Sequence, residues 1–274
     1  VILITTQDEK KAAGTLSVRF KSTLSYAHLA GSLDILNAEE YATWRNMAAS
    51  SFSSYDPNNL PFNPDDYKGK GTDWIDVLSQ DVFAQDYHLS IFRKVGGTSF
   101  SATLGYNNTP GVVINSGMQR FTGTLNINSS LKKKLHLNLK VSYTHTDRDR
   151  ASAAITGTST SAAVYLSPLL DPEATWNRYG DQESSGGAAF NSPYLVAKNT
   201  VNESWQNYIM ASSTLKYDIT RRMNLKVRLA ITDRRTETGY YSPSYLPVAK
   251  INKTGGTARS NDNRLTKYIG EATW

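Results

Sequence analysis

Residues 14–29 read GTLSVRFKSTLSYAHL. Leu16, Val18, Phe20, Leu24 and Tyr26 fall on one side of an extended chain, and Arg19, Lys21, Thr23 and Ser25 fall on the other. Successive side chains of a strand point to opposite faces, so the stretch is a strand with one apolar and one polar face. The pattern recurs in DYHLSIF (86–92), SFSATLGY (99–106), RFTGTLNIN (120–128), LHLNLKVSYTHT (135–146), YIMASSTLKYDI (208–219), MNLKVRLAITD (223–233) and LTKYIGEATW (265–274). Several of these runs reach roughly ten residues, where a globular strand has about 5–6 and a membrane-crossing strand about 9–11.

The connections between these runs alternate in length. KVGG (94–97), LKKK (131–134) and ITRR (219–222) are tight. The others are extended, near 30–85, 107–118, 148–205 and 236–261. Short turns at one end and long loops at the other are the habit of outer-membrane barrels, with the turns periplasmic and the loops extracellular. A β-sandwich gives no reason for that asymmetry. The reading is an all-β chain, part of a large antiparallel transmembrane β-barrel with about eight long strands.

Composition agrees. The chain has 274 residues, 39% of them hydrophobic. No run of roughly 20 apolar residues exists to cross a membrane as a helix. Cysteine is absent, which removes disulfides, thiolate metal sites and a cysteine nucleophile. The net charge is +6, but Lys and Arg are scattered rather than gathered on one segment, so no nucleic-acid partner is expected. The 16 Tyr and 5 Trp outnumber the 8 Phe, which suits surfaces wet on one side, such as membrane interfaces and sugar-binding faces.

Two loop segments read as helices. LNAEEYATWRNMAASSF (36–52) has Asn37 as N-cap with Glu40 three residues on, and TDWIDVLSQDVF (72–83) has Thr72 or Asp73 as a cap. SSYDPNNLPFNPDDYKGKG (53–71) between them is irregular.

Read in order, VILITT (1–6), NAEEYATWRN (37–46), TDWIDVL (72–78), DYHLSI (86–91), GYNNTPGVVINSGMQRFTGTLNIN (105–128) and LKKKLHLNLKVSYTHT (131–146) resemble SusC/RagA-type TonB-dependent outer-membrane transporters. Past about Tyr143 the likeness rests on the order of SPLLDP (167–172) and NSPY (191–194). The resemblance implies that residues 1–10 end a plug domain and that 11–274 form the first part of a barrel. It makes the chain an internal fragment of a transporter of about 22 strands, since eight strands leave no room for a plug. It also implies outer-membrane lipid around the wall, a SusD-like surface lipoprotein as lid, the TonB complex acting through the plug, and a glycan or peptide as substrate. The strand charges Arg19, Lys21, Lys140, Lys226 and Arg228 would then face the plug or the lumen.

No catalytic residue is expected. His28, His88, His136 and His145 form no metal-binding spacing, and Asp65–Asp66 and Asp171/Glu173 are sequence neighbours rather than a pair across a cleft. YDPNNLPFNPDD (55–66) has oxygen ligands for calcium but reads more simply as a solvated turn. Neither metal nor cofactor is therefore expected. The candidates for ligand contact are loop aromatics: Trp44, Tyr55, Tyr67, Trp176, Tyr179, Tyr194, Tyr240 and Tyr241. Their faces stack on sugars or support peptides, and the plain alternative is packing within the loops. Tyr26, Tyr106, Tyr143, Tyr217 and Trp274 instead sit on apolar strand faces as lipid-facing or girdle residues. A soluble secreted carbohydrate-binding sandwich and a non-transporting structural or adhesive barrel remain as alternatives. Gel mobility of the full-length protein in SDS separates the first of these: a barrel shifts on boiling, whereas a soluble sandwich does not.

Overall fold

The computed structural model describes residues 14–31, 33–51, 56–58, 60–132, 134–152, 164, 166–173, 192–246, 249 and 253–274. Eight strands form one antiparallel sheet: β1 Leu16–Ala27, β2 Val82–Val95, β3 Thr98–Pro110, β4 Gly117–Leu131, β5 Leu135–Asp149, β6 Val201–Asp218, β7 Asn224–Ser242 and β8 Thr257–Thr273. Their spatial order is their sequence order. Each strand pairs with the next, and β1 and β8 do not pair with each other, so the sheet is an open arc of a barrel wall. Strand lengths run from 12 to 19 residues, enough for every strand to cross a bilayer. Among the described residues, three α-helices lie in the connections, α1 Ala38–Ala49, α2 Trp74–Leu78 and α3 Pro193–Asn199, and a 3-10 turn at Pro64–Tyr67 interrupts the segment read as irregular.

Register keeps the apolar sides together. Val18 lies opposite Ile91, Ile91 opposite Ala102, Ala102 opposite Leu125, Leu125 opposite Val141, Val141 opposite Ala211, and Ala211 opposite Ile231. The neighbouring row on the other face holds Arg19, Ser90, Thr103, Thr124, Ser142, Met210, Thr232 and Lys267. A slip of one residue anywhere would turn a strand's whole apolar set over, so the two-faced pattern fixes the pairing. Arg19, Lys21, Lys140, Lys226 and Arg228 all stand on the polar face.

The apolar run also slides along the ladder. Its centre is near Tyr87 on β2 but near Leu229 on β7, and Leu229 lies in the row of Ser213, Leu139, Ile127, Phe100 and Arg93. From Tyr87 to Arg93 over these strands is roughly one residue per strand, which at about 3.3 Å per residue and 4.8 Å per strand is a tilt of about 35°. Strands of membrane barrels tilt by about 35–45°. A flat hydrocarbon layer crossing tilted strands explains the slide.

The apolar face is bare. Phe20 is 65% exposed, Leu229 60% and Tyr268 75%. Among the described residues, the buried hydrophobic side chains are Ala38, Ala42, Phe62, Trp74, Leu78, Val82, Ala197 and Leu246. All but Val82, the first residue of β2, lie in the connections. The sheet therefore presents its apolar face outward, and the packed core is elsewhere.

The ladders extend further into the long connections than the alternation alone indicates. Ser242 pairs with Thr257, so the last connection narrows to 243–256, and Tyr240 and Tyr241 lie in β7 rather than in a loop. Alternation marks a strand only where one face is apolar, and these strand ends are polar or aromatic on both. The plug segment expected at 1–10 lies outside the described residues.

Arginine on a lipid face costs about 2–4 kcal/mol near mid-bilayer. Leu139→Arg should therefore lower the folded, heat-shifting fraction of the full-length protein. Ser212→Arg, one row away on the polar face, should leave that fraction unchanged.

Candidate functional site

The three short turns, at Gly96–Gly97, Lys132–Lys134 and Ile219–Met223, all fall at one end of the sheet. The four longer connections fall at the other and pack into a single cap. α1 begins at Asn37, whose side chain accepts from the Glu40 amide at 3.0 Å, while the Glu40 carboxylate accepts from the Asn37 amide at 2.9 Å. This reciprocal pair satisfies donors that a helix start leaves open. Asn46, further along α1, donates to the Phe62 carbonyl at 2.7 Å and accepts from the Phe62 amide at 3.1 Å, which ties the irregular segment back to the helix. α2 starts at Asp73, whose carboxylate accepts from the amides of Ile75 and Asp76.

Trp74 and Leu78 on α2 and Ala197 on α3 form the buried centre, with Ile114, Leu166, Leu170 and Tyr194 against them. Polar contacts lace the connections at the same place. The Trp74 indole donates to the Ser167 carbonyl at 2.9 Å, and the Thr72 amide donates to the Pro168 carbonyl at 2.8 Å. The Ile114 amide donates to the Leu78 carbonyl at 3.0 Å, and Asn115 Nδ2 donates to the Ala197 carbonyl at 2.9 Å. Tyr245, in the last connection, donates to Asn199 Oδ1 at 3.1 Å. Gly71 makes the close approach possible: its φ is +111°, and a Cβ there would lie 2.5 Å from that of Ala38.

The candidate aromatics have different settings. Trp44, on α1, is 48% exposed and its ring centre is 5.8 Å from that of Tyr41. Both border a crevice of about 330 Å³ with Asp34, Ile35, Leu166 and Pro168. Tyr67 is half-buried, edge-on to Phe62 at 6.4 Å. Tyr194 is half-buried against the Trp74 cluster, with the Lys198 ammonium 5.3 Å from its ring. Lys198 donates to the Glu173 carboxylate at 3.2 Å and to the Tyr194 hydroxyl oxygen at 3.5 Å, and these bonds raise the Lys198 pKa. Tyr240 lies on the polar face of the sheet in the row of Asn202, and Tyr241 lies on the opposite face in the row of Val201. Tyr55, Trp176 and Tyr179 lie outside the described residues. The cap therefore leaves Trp44 open to solvent, uses Tyr67 and Tyr194 in packing, and leaves Tyr240 on the polar wall.

No family model matches the chain. Curated relatives do. Over 282 residues, 99% of the chain, it is 24% identical to the TonB-dependent receptor P3 of Formosa agariphila, and it spans 26% of that protein. Over 130 residues it is 28% identical to the TonB-dependent receptor SusC of Bacteroides thetaiotaomicron, covering 47% of this chain and 12% of that one. The fold is also that of a solved transporter. It superposes on the RagAB peptide importer in its closed-closed state with a TM-score of 0.72 at 15% identity, over 96% of this chain and 33% of that one. The open-open state gives 0.70. The chain resembles the SusC/RagA-type TonB-dependent transporters. It spans about a quarter or less of the curated relatives' length.

Removing the Trp74 side chain empties the centre of the cap, a change that costs about 3–5 kcal/mol in a packed core. Trp74→Ala and Gly71→Ala should both speed limited proteolysis in residues 28–81 and 150–200 of the full-length protein. The heat-shifted mobility of the barrel should survive, because the sheet takes no part in that packing.

Proposed function

We propose that this chain is a stretch of barrel wall and cap from a transporter that imports a nutrient, a glycan oligosaccharide or an oligopeptide, across a bacterial outer membrane using the TonB system. The observation that carries the reading is the bare apolar face of eight long tilted strands, on a chain whose whole length aligns with a TonB-dependent receptor. Hydrocarbon is the solvent that leaves such a face stable, because every backbone group between neighbouring strands is already paired. On this reading the apolar face meets lipid, the polar face lines the lumen, and the capped end is extracellular. A SusD-like surface lipoprotein closes over the cap, and the TonB complex acts through a plug inside the barrel. The chain's part is passive: it shapes the passage, and the cap presents polar and aromatic groups to the arriving solute. Nothing in this role calls for bond-breaking chemistry.

The test uses the full-length protein in its native outer membrane. Cells are offered a fluorescent oligosaccharide and a fluorescent oligopeptide, and the internalised label is measured. Uptake of one of them should stop when a protonophore collapses the inner-membrane gradient, and should stop when the gene is deleted. Uptake that ignores the gradient, or none that depends on the gene, would leave a barrel without a transport cycle.

A further inference from the structure

At the capped end, the two faces of the sheet carry opposite charge. The row of Thr122, Thr144, Tyr208, Arg234 and Leu265 marks the lower edge of this zone on the polar face. From that row outward, the polar face of β4–β8 carries Arg120, Arg148, Arg234 and Arg259 and no Asp or Glu. All four arginines are exposed, and none makes an ion pair among the described residues. Arg120 and Arg148 instead point a guanidinium at the sulfur of Met118, at 3.4 and 3.6 Å.

The opposite face at the same height carries Asp147, Asp149, Glu203, Asp233, Glu237 and Asp262. Its arginines are neutralised where they stand: Arg235 lies 2.8 Å from Asp262 and Arg264 lies 2.9 Å from Asp233. Arg235 and Arg264 are direct cross-strand partners, a repulsive arrangement that these carboxylates relieve. On β4–β8 the polar face has no such counter-charges at this height; the carboxylate in the row of Arg120 is Asp86 on β2, two strands away and 2.7 Å from His88.

We infer that this polar face is the recognition wall for an acidic oligosaccharide, a chain of sugars bearing carboxylates or sulfates. The inference rests on the reading of the polar face as a lumen wall. Guanidinium groups pair two-pronged with carboxylate and sulfate oxygens, which is the chemistry this wall leaves free. The groups between the arginines suit hydroxyls: Thr146, Gln206, Thr236 and Asn263 fill the row that begins with Arg120. Tyr240 stands beside Arg259 in its row and offers a ring face to a sugar. A peptide would need pockets for apolar side chains, and Met118 and Leu265 are the apolar members of this zone. A wall of one sign also raises the local concentration of an oppositely charged solute before contact.

The experiment is equilibrium binding to the purified full-length protein in detergent, read by fluorescence anisotropy. Three labelled probes of equal length are compared: oligogalacturonate, a neutral maltooligosaccharide and an oligoglutamate peptide. Oligogalacturonate should bind at least about tenfold more tightly than either of the others, the scale of one charge-assisted contact or more. Its affinity should fall as salt is raised. The combined variant R120Q/R148Q/R234Q/R259Q should lose that preference while keeping its heat-shifted mobility. R264Q, on the other face, should bind oligogalacturonate within twofold of the unaltered protein. Equal binding of the neutral sugar, tighter binding of oligoglutamate, or full preference in the folded fourfold variant would each overturn the inference. Because binding needs no gradient, its success or failure is separate from the protonophore result that tests transport.

Discussion

A backbone amide that faces hydrocarbon has no water to bond, and the rest of this chain follows from that constraint. Strands cross such a medium only if each donor and acceptor pairs with a neighbouring strand. Eight strands in sequential antiparallel order meet the need everywhere except along β1 and β8, whose outer edges are unpaired here. With the backbone satisfied inside the sheet, Leu, Ile, Val and Phe need no protein partner on the face they cover. That is why Leu229 and Phe20 are as exposed as surface lysines in an ordinary domain.

The same constraint moves the packed core to the end of the sheet. Side chains on the lipid side add little by packing on one another, so burial has value only where the chain returns to water. There Trp74, Leu78 and Ala197 gather three connections into one body, the fourth joins through Tyr245 and Asn199, and Gly71 lets α1 and the Pro168 segment approach. The capped end is therefore both the place where the buried hydrophobic side chains of the described residues gather and the place where free guanidinium groups and open aromatic faces meet solvent.

Reading the sequence recovers the wall better than the cap. The strands, the tight turns, the Asn37 capping box and the Asp73 cap were all legible, because each depends on residues close in sequence. The ends of β7 and β8 were not, since Tyr240 and Tyr241 have no alternation around them and are held in the ladder by cross-strand pairing alone. Of the aromatic candidates, Tyr194 is taken into packing by Trp74, a contact invisible at a separation of more than a hundred residues. The arginines of the polar wall were in plain view, yet none stood out. Parity along each strand gives their face, but only the register across five strands shows that no carboxylate of β4–β8 shares it at the capped end.

By itself the sequence determined the two-faced strands and the end at which the long loops lie, because side-chain alternation and turn chemistry are local properties of an L-amino-acid chain. The tertiary structure decided which loops join, which aromatics stay open and which charges remain without counter-charge. Those outcomes depend on groups far apart in the chain arriving at the same place, and only the continuous ladder of backbone pairs brings them there.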